Sequence, residues 1–339
     1  MKDSKYASAL RREIPYLIAE IGSNHNGSFR RAKRLVIEAA KSGADAVKLQ
    51  LFKLSTLIEP ENFEKALSLT SSAWRNDFRA LECPLVWLPK LKRLTDRLGV
   101  DFLCTPFDEE SLAVYTGLQP AAVKIASGDI THQALLRRIS LTGIPPLLST
   151  GASTEAEITE ALTLLKNGNT ALLECVMRYP ASNYEYSAER LRLLQNHARI
   201  VGVSDHSEGT LVAAEAVLSG ALIIEKHFTI DRSIKGADHA MSAEPHTLRA
   251  LKAIMLEAFA LRAQGKTPPG DSAERVYARR AVYARSPIRK GDAFSEGNCI
   301  ALRPAVGEYV PASSWTHLEG RPAVQNYERG MGIACSEIH

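Results

Sequence analysis

Short, almost uninterrupted apolar runs alternate eight times along the chain with longer stretches in which apolar residues recur every three or four positions. The runs are Tyr16–Gly22, Ala46–Phe52, Asp101–Phe107, Ala122–Ser127, Pro145–Thr150, Ala171–Met177, Arg199–Asp205 and Leu222–Phe228. Runs this short and this apolar are expected of parallel strands covered on both faces. The intervening stretches read as amphipathic helices. Phe29–Lys41 puts Ala32, Leu35, Val36, Ala39 and Ala40 on one stripe, and Gly43 follows as a C-cap. Ser153-Thr-Glu-Ala-Glu157 opens another helix with capping hydroxyls and early acids. Helices are also predicted after Leu85, Ala188, Glu208 and His246. Eight strand–helix units in about 260 residues predict a closed (β/α)8 barrel, the TIM-barrel class. The competing fold is an open doubly wound sheet, but no G-x-G-x-x-G follows the first run.

The helical pattern stops near Ala263, so residues 1–263 are predicted to form the barrel. Gln264-Gly-Lys-Thr-Pro-Pro-Gly270 reads as a linker, extending over 264–277. Residues 278–339 carry short β-like pieces, Ala281–Ala284 and Cys299–Leu302, separated by turns, and predict a small β-rich module. A domain of about 60 residues is marginal alone, so it is expected to pack against something. Glu59–Pro84 is longer than an ordinary strand–helix loop and is predicted to fold over the barrel mouth as a lid.

Composition narrows the partners. The chain is 45% hydrophobic and 24% charged, as in ordinary globular proteins. A net charge of +4, dispersed in short runs, argues against nucleic acid. The cysteines, at 83, 104, 175, 299 and 335, form no C-x-x-C and no even framework, and are expected to be reduced. The first residues lack a signal peptide's apolar core, and no apolar run is long enough to span a membrane. A cytoplasmic location is expected, with no membrane partner.

Barrel active sites lie at the C-terminal ends of the strands, and the polar residues there are numerous. His206 and His227 close the last two apolar runs. Either alone reads as a hydrogen-bonded histidine at a strand end. On neighbouring parallel strands both imidazoles emerge at one edge, where two neutral rings can bind a divalent metal. Lys48 and Lys124 sit inside apolar runs. A buried ammonium needs an anion, either an internal carboxylate such as Glu20 or Asp129 or a bound phosphate or carboxylate. Ser127, Ser149 and Ser204, at other strand ends, suit the second reading. The last strand also offers Glu225 and Lys226.

Several segments carry a family resemblance. Ile18-Ala-Glu-Ile-Gly-Ser-Asn-His-Asn-Gly27, Gly43-Ala-Asp-Ala-Val-Lys-Leu-Gln50, Phe102-Leu-Cys-Thr-Pro-Phe107, Lys124-Ile-Ala-Ser-Gly-Asp129, Leu148-Ser-Thr-Gly151, Val203-Ser-Asp-His206 and Glu225-Lys-His-Phe228 resemble, in order, the sialic acid (N-acetylneuraminate) synthase family. The tail, with Arg279-Arg280 and Leu302-Arg-Pro304, is similar to that family's C-terminal antifreeze-like (SAF) domain. The resemblance implies condensation of phosphoenolpyruvate with the open-chain aldehyde of an N-acylated hexosamine such as N-acetylmannosamine. It implies a divalent cofactor, manganese or magnesium, on His206 and His227. Lys48, Lys124, Ser127, Ser149 and Ser204 would hold phosphoenolpyruvate. Asp129 would handle the attacking water's proton, and Glu20 would orient groups near the metal. Gln50, Thr105, Phe107, Tyr179 and Asp238 would line the sugar pocket. Arg303 would reach the partner subunit's site, which implies a domain-swapped homodimer.

The chain departs from the family pattern in places. Asp129 stands where several members carry glutamate, and Met177 and Arg178 occupy the sixth strand's end. The tail reads Arg303-Pro-Ala where Arg-Pro-Gly is commoner. These changes leave the condensation intact and open the sugar to diacetamido-dideoxy hexoses, the precursors of legionaminic or pseudaminic acid. More distant alternatives are a metal-dependent aldolase or isomerase, which would not need both lysines, and a non-catalytic sugar-binding barrel.

Overall fold

The computed structural model describes residues 4–59, 61–62, 81–166, 168–236, 238–263, 274–306 and 308–339. Internal contacts divide the chain into two units, Met1–Ala263 and Gln264–His339.

In the first unit eight parallel strands form one sheet: β1 (Tyr16–Gly22), β2 (Ala46–Leu51), β3 (Asp101–Pro106), β4 (Val123–Ile125), β5 (Pro146–Ser149), β6 (Ala171–Cys175), β7 (Ile200–Asp205) and β8 (Ile223–His227). Their order is β3-β2-β1-β8-β7-β6-β5-β4, so the first and last strands of the sequence are neighbours. The curl ends with β3 against β4. No hydrogen-bonded ladder joins that pair; the hydroxyl of buried Tyr115 instead sits between the carbonyl oxygens of Phe102 (3.3 Å) and Ala122 (2.7 Å). The eight apolar runs thus appear as eight strands, several trimmed at their ends where polar residues turn the chain. Ser127–Asp129, for example, is a 3-10 turn.

The alternation of a strand sorts side chains into two cores. Leu17, Val47, Leu148, Val203 and Ile224 point outward and pack with the surrounding helices. Tyr16, Ile18, Ala46, Leu103, Ala122, Leu147, Leu173 and Ile223 point inward and fill the barrel's N-terminal half. Gly202 must lack a side chain, since a Cβ there would lie 2.2 Å from the Ile223 carbonyl. A helix absent from the sequence reading, Lys5–Arg12, closes that end. It is capped by Ser4 and inserts Tyr6 and Ala9 into the inner core. Asp101 fixes it, accepting from the Tyr6 N–H (2.7 Å) and the Tyr16 hydroxyl (2.8 Å).

Helices recur where the pattern placed them, at Phe29–Lys41, Leu88–Leu98, Glu155–Leu165, Ala188–Gln195, Leu211–Leu218 and Pro245–Ala263. The Glu155 helix carries the expected capping box, Thr154 with Glu157. Most of the expected Glu59–Pro84 lid lies outside the described residues, as does most of the expected linker. Its last positions belong to a short helix within the second unit, Glu274–Ala278, whose Val276 carbonyl accepts the Ala305 N–H.

The second unit pairs β9 (Ala281–Ala284) antiparallel with β10 (Cys299–Leu302). Isolated bridges continue the pairing, and Val282, Ile288, Phe294, Val310, Tyr327 and Ile333 form its own small core. Cysteines 83, 104, 175 and 299 are buried thiols and Cys335 is partly exposed.

Candidate active site

The inward-facing positions change character along each strand. Tyr16 and Ile18 are followed by Glu20, Ala46 by Lys48, Leu103 by Thr105, and Ala122 by Lys124. Leu147 is followed by Ser149, Ile223 by Glu225 and His227, and β7 carries Ser204, with His206 one residue past its end. An apolar plug therefore fills the lower barrel and a charged floor caps it at the C-terminal mouth.

Register sets the floor. Glu20 lies beside Lys48 on one neighbour and His227 on the other, and Ser204 beside Glu225. The Lys48 ammonium is 2.6 Å from Glu20 and 3.8 Å from Glu225, and donates to the Thr105 hydroxyl at 2.9 Å. Lys124, only 3% exposed, is 4.0 Å from Glu225 and donates to its neighbour's carbonyl. The Ser204 hydroxyl donates to Glu225 at 3.0 Å. Two cations and two carboxylates thus balance inside the barrel. Lys124 takes Glu225 as its counter-ion, not Asp129 as the sequence suggested.

Electrostatics differ across this quartet. Burial would lower the Lys48 ammonium, but Glu20 and Glu225 outweigh it and raise it. Burial, only partly offset by Glu225, lowers Lys124. Burial pushes Glu20 up to about 7 against the pull of Lys48. Burial would raise Glu225 as well, but Lys124 and Lys48 hold it below the ordinary range. Lys124 is the more loosely matched cation, and an anion entering from the mouth would satisfy it. Around it, the Gly151 N–H donates to the Ser127 hydroxyl at 3.0 Å, and the buried Ser149 hydroxyl has no hydrogen-bond partner.

The two imidazoles lie side by side, ring centroids 5.4 Å apart. His206 donates through Nδ1 to the Val176 carbonyl at 2.7 Å, which leaves the Nε2 lone pair free. His227 Nδ1 makes no hydrogen bond and lies 3.7 Å from Asp238. Burial lowers both, and His206 and Lys48 lower His227 further. Both rings are neutral near neutral pH, the state a metal ligand needs. The unpartnered Glu20 Oε1 lies nearby, facing the Asp238 and Gln50 side chains across Gly22. Two adjacent neutral imidazoles are a donor pair that fits a divalent cation. Among the described residues no third acid, thiol or imidazole completes a metal-holding group. Further ligands would come from water or substrate oxygen.

Tyr179 stacks on His206 with centroids 4.1 Å apart and meets His227 edge-on. Phe107, one residue past β3, packs edge-on against Phe52. Asp129 is partly buried, and burial raises its carboxyl to about 6 against His132 and Lys124. It does not cap the following helix: His132 takes that role, accepting the Leu135 N–H. Burial likewise raises Asp238 to about 6. Met177 lies over Gly151, its Cγ 2.8 Å from where a Cβ would sit. Arg178 pairs with Glu185 at 2.9 Å.

Structure therefore gathers Glu20, Lys48, Gln50, Thr105, Lys124, Ser127, Ser149, Ser204, His206, His227, Tyr179 and Asp238 at the mouth. Arg303 belongs to the second unit, where it is exposed. Asp205 and Lys226, also at strand ends, face outward and pair with each other at 2.7 Å. Glu225, given no role by the resemblance, is the hub of the charged floor. The available signal was its position two residues before His227, on the same inward face.

These features define a (β/α)8 barrel whose mouth combines two buried lysines with a pair of imidazoles. The comparisons place it more closely. The family model described as NeuB matches residues 35–267, and the chain belongs to that family. It is similar to N,N'-diacetyllegionaminic acid synthase of Legionella pneumophila, 34% identical, covering 95% of this chain and 94% of that protein. The Campylobacter jejuni protein of the same name is 36% identical, covering 92% and 96%. Among solved structures, the N-acetylneuraminic acid (sialic acid) synthetase of Leptospira borgpetersenii, in complex with citrate, is 31% identical. Its TM-score is 0.68, covering 77% of this chain and 89% of that one.

Proposed function

We propose that the chain condenses phosphoenolpyruvate with the open-chain aldehyde of an N-acylated hexosamine to give a nine-carbon 2-keto sugar acid and phosphate. The observation that carries this reading is the shared floor of two buried lysines and two neutral imidazoles. Lys48 and Lys124 would exchange part of their pairing with Glu20 and Glu225 for the phosphate and carboxylate of phosphoenolpyruvate, with Ser127, Ser149 and Ser204 as hydrogen-bond partners. The methylene carbon of phosphoenolpyruvate forms a bond to the aldehyde carbon, whose oxygen takes up a proton. Positive charge develops at the central carbon and water adds there. Cleavage of the carbon–oxygen bond then expels phosphate. A manganese or magnesium ion held by His206 and His227 would supply Lewis-acid polarisation of the aldehyde oxygen. Asp129, with its carboxyl raised to about 6, suits acceptance of the attacking water's proton near neutral pH.

For the sugar we favour a hexose bearing two acetamido groups over N-acetylmannosamine. Support comes from the two diacetyllegionaminic acid synthases, which match this chain over more than nine-tenths of its length. Gln50, Thr105, Phe107, Tyr179 and Asp238 would contact it. The second unit, read as an antifreeze-like module, would supply Arg303 to the partner's site in a domain-swapped homodimer. The test is phosphate release from phosphoenolpyruvate with manganese across a panel of amino sugars, with EDTA and His206→Ala as controls. Release with one sugar, abolished by both controls, is expected. No release from folded, metal-loaded protein with any sugar would overturn the reading.

A further inference from the structure

Glu174 is the outward-facing residue of β6, on the opposite side of the strand from the barrel mouth. Only 1% of it is exposed, yet neither carboxylate oxygen accepts a hydrogen bond. Arg190, on the helix Ala188–Gln195, stands 3.6 Å away, close enough to balance charge and too far to donate. Both line a cavity of about 140 Å³ between β6 and the flanking helices. A buried carboxylate without donors is costly, and here the space that would hold a donor is present.

The remaining walls specify that donor. The Thr150 hydroxyl donates to the Leu173 carbonyl and the Ser153 hydroxyl to the Gly151 carbonyl, so both oxygens can still accept. With Glu174 they form an acceptor-rich end suited to an ammonium. Arg190 supplies a cationic edge suited to a carboxylate. Ile158, Leu193 and Leu194 form an aliphatic wall, and Glu155 and His197, paired with each other at 3.1 Å, complete the lining. A simple alkylammonium would leave Arg190 opposed by like charge, and a simple carboxylate would face Glu174. The volume suits about six to eight non-hydrogen atoms, since a cavity of about 150 Å³ takes up benzene.

We propose that this cavity binds a small aliphatic α-amino acid, its ammonium on Glu174, Thr150 and Ser153, its carboxylate on Arg190 and its side chain on the leucine wall. The site is separate from the mouth but linked to it. Ser153 and Thr150 belong to the turn that follows Ser149, and Gly151 of that turn donates to Ser127. Binding there bears directly on the segment proposed to hold phosphoenolpyruvate.

The test is calorimetric titration of the full chain with L-valine, with isobutylamine and isobutyrate as single-charge controls, alongside thermal melting. Valine is expected to bind and raise Tm by about a few degrees at saturation. Isobutylamine and isobutyrate should bind at least about tenfold more weakly, the scale of one lost charge-assisted hydrogen bond. Glu174→Gln should weaken valine by at least about tenfold. Leu193→Trp, at a half-exposed position, should fill the cavity and abolish binding without unfolding the chain. No heat and no shift with valine would overturn the proposal. So would equal binding of isobutylamine, or unchanged affinity in folded Glu174→Gln and Leu193→Trp proteins.

Discussion

Removing the Glu225 carboxylate from the barrel floor should destabilise the fold, because it leaves Lys124 without a counter-ion. Glu225→Gln keeps shape and a hydrogen-bond acceptor for Ser204 but deletes a charge that lies 3.8 Å from Lys48 and 4.0 Å from Lys124. At an effective dielectric of about 20, each attraction is worth about 4 kcal/mol. Part of that sum is returned, because one fewer charge must be desolvated and Glu20 loses a like-charged neighbour. Lys48 keeps Glu20 at 2.6 Å, whereas Lys124 keeps no carboxylate within 4 Å among the described residues. Breaking a buried pair from one side typically costs about 3–5 kcal/mol, and the lower end is expected here since Lys124 can shed its proton. Urea unfolding at neutral pH should show this as a lowered midpoint with an unchanged slope. The deficit should shrink on adding inorganic phosphate, because an anion in place of the lost carboxylate lets Lys124 keep its proton. A variant as stable as the parent, with the same phosphate dependence, would refute the view that Glu225 neutralises Lys124.

Other expectations follow from single contacts. Tyr115→Phe deletes the hydroxyl at the β3–β4 seam and should cost about 1–2 kcal/mol in the same unfolding experiment. Gly202→Ala would drive a methyl to 2.2 Å from the Ile223 carbonyl, so β7 must shift with Ser204 and His206. A loss above about 3 kcal/mol and weakened manganese binding are expected, read by melting and by calorimetry. Glu174 is raised by burial from 4.5 to about 7, so the folded state holds its proton more tightly than the unfolded one. Its contribution is fully present below pH 4.5 and is lost as pH rises through 7. Glu174→Gln should match the parent near pH 4 and exceed it by up to about 3 kcal/mol at pH 8; a difference independent of pH would contradict the burial argument. His227→Gln should weaken manganese at least about tenfold without lowering stability, measured by calorimetric titration, since it removes one neutral donor.

Much of this architecture was legible in the chain. The eight apolar runs marked the strands because a parallel strand covered on both faces must be apolar throughout, and Gly43, Thr154 and Glu157 marked helix ends through local capping chemistry. The N-terminal helix was not legible. Eight residues are too few to hold a helix alone, and the helix exists because the open end of the barrel receives Tyr6 and Ala9. The lysines and histidines stood out as polar residues in apolar runs. Glu20, the partner of Lys48, was among the carboxylates named; the partner of Lys124 was not, because which residue faces it depends on the register of β4, β7 and β8 around the curled sheet. Apolar spacing along the chain sets the period of each element, and with it which residues alternate between the two faces. That Glu225 faces the lysines while Glu174, Asp205 and Lys226 face the helices is set by the assembled barrel. Closure assigns inside and outside to faces that a single strand cannot tell apart.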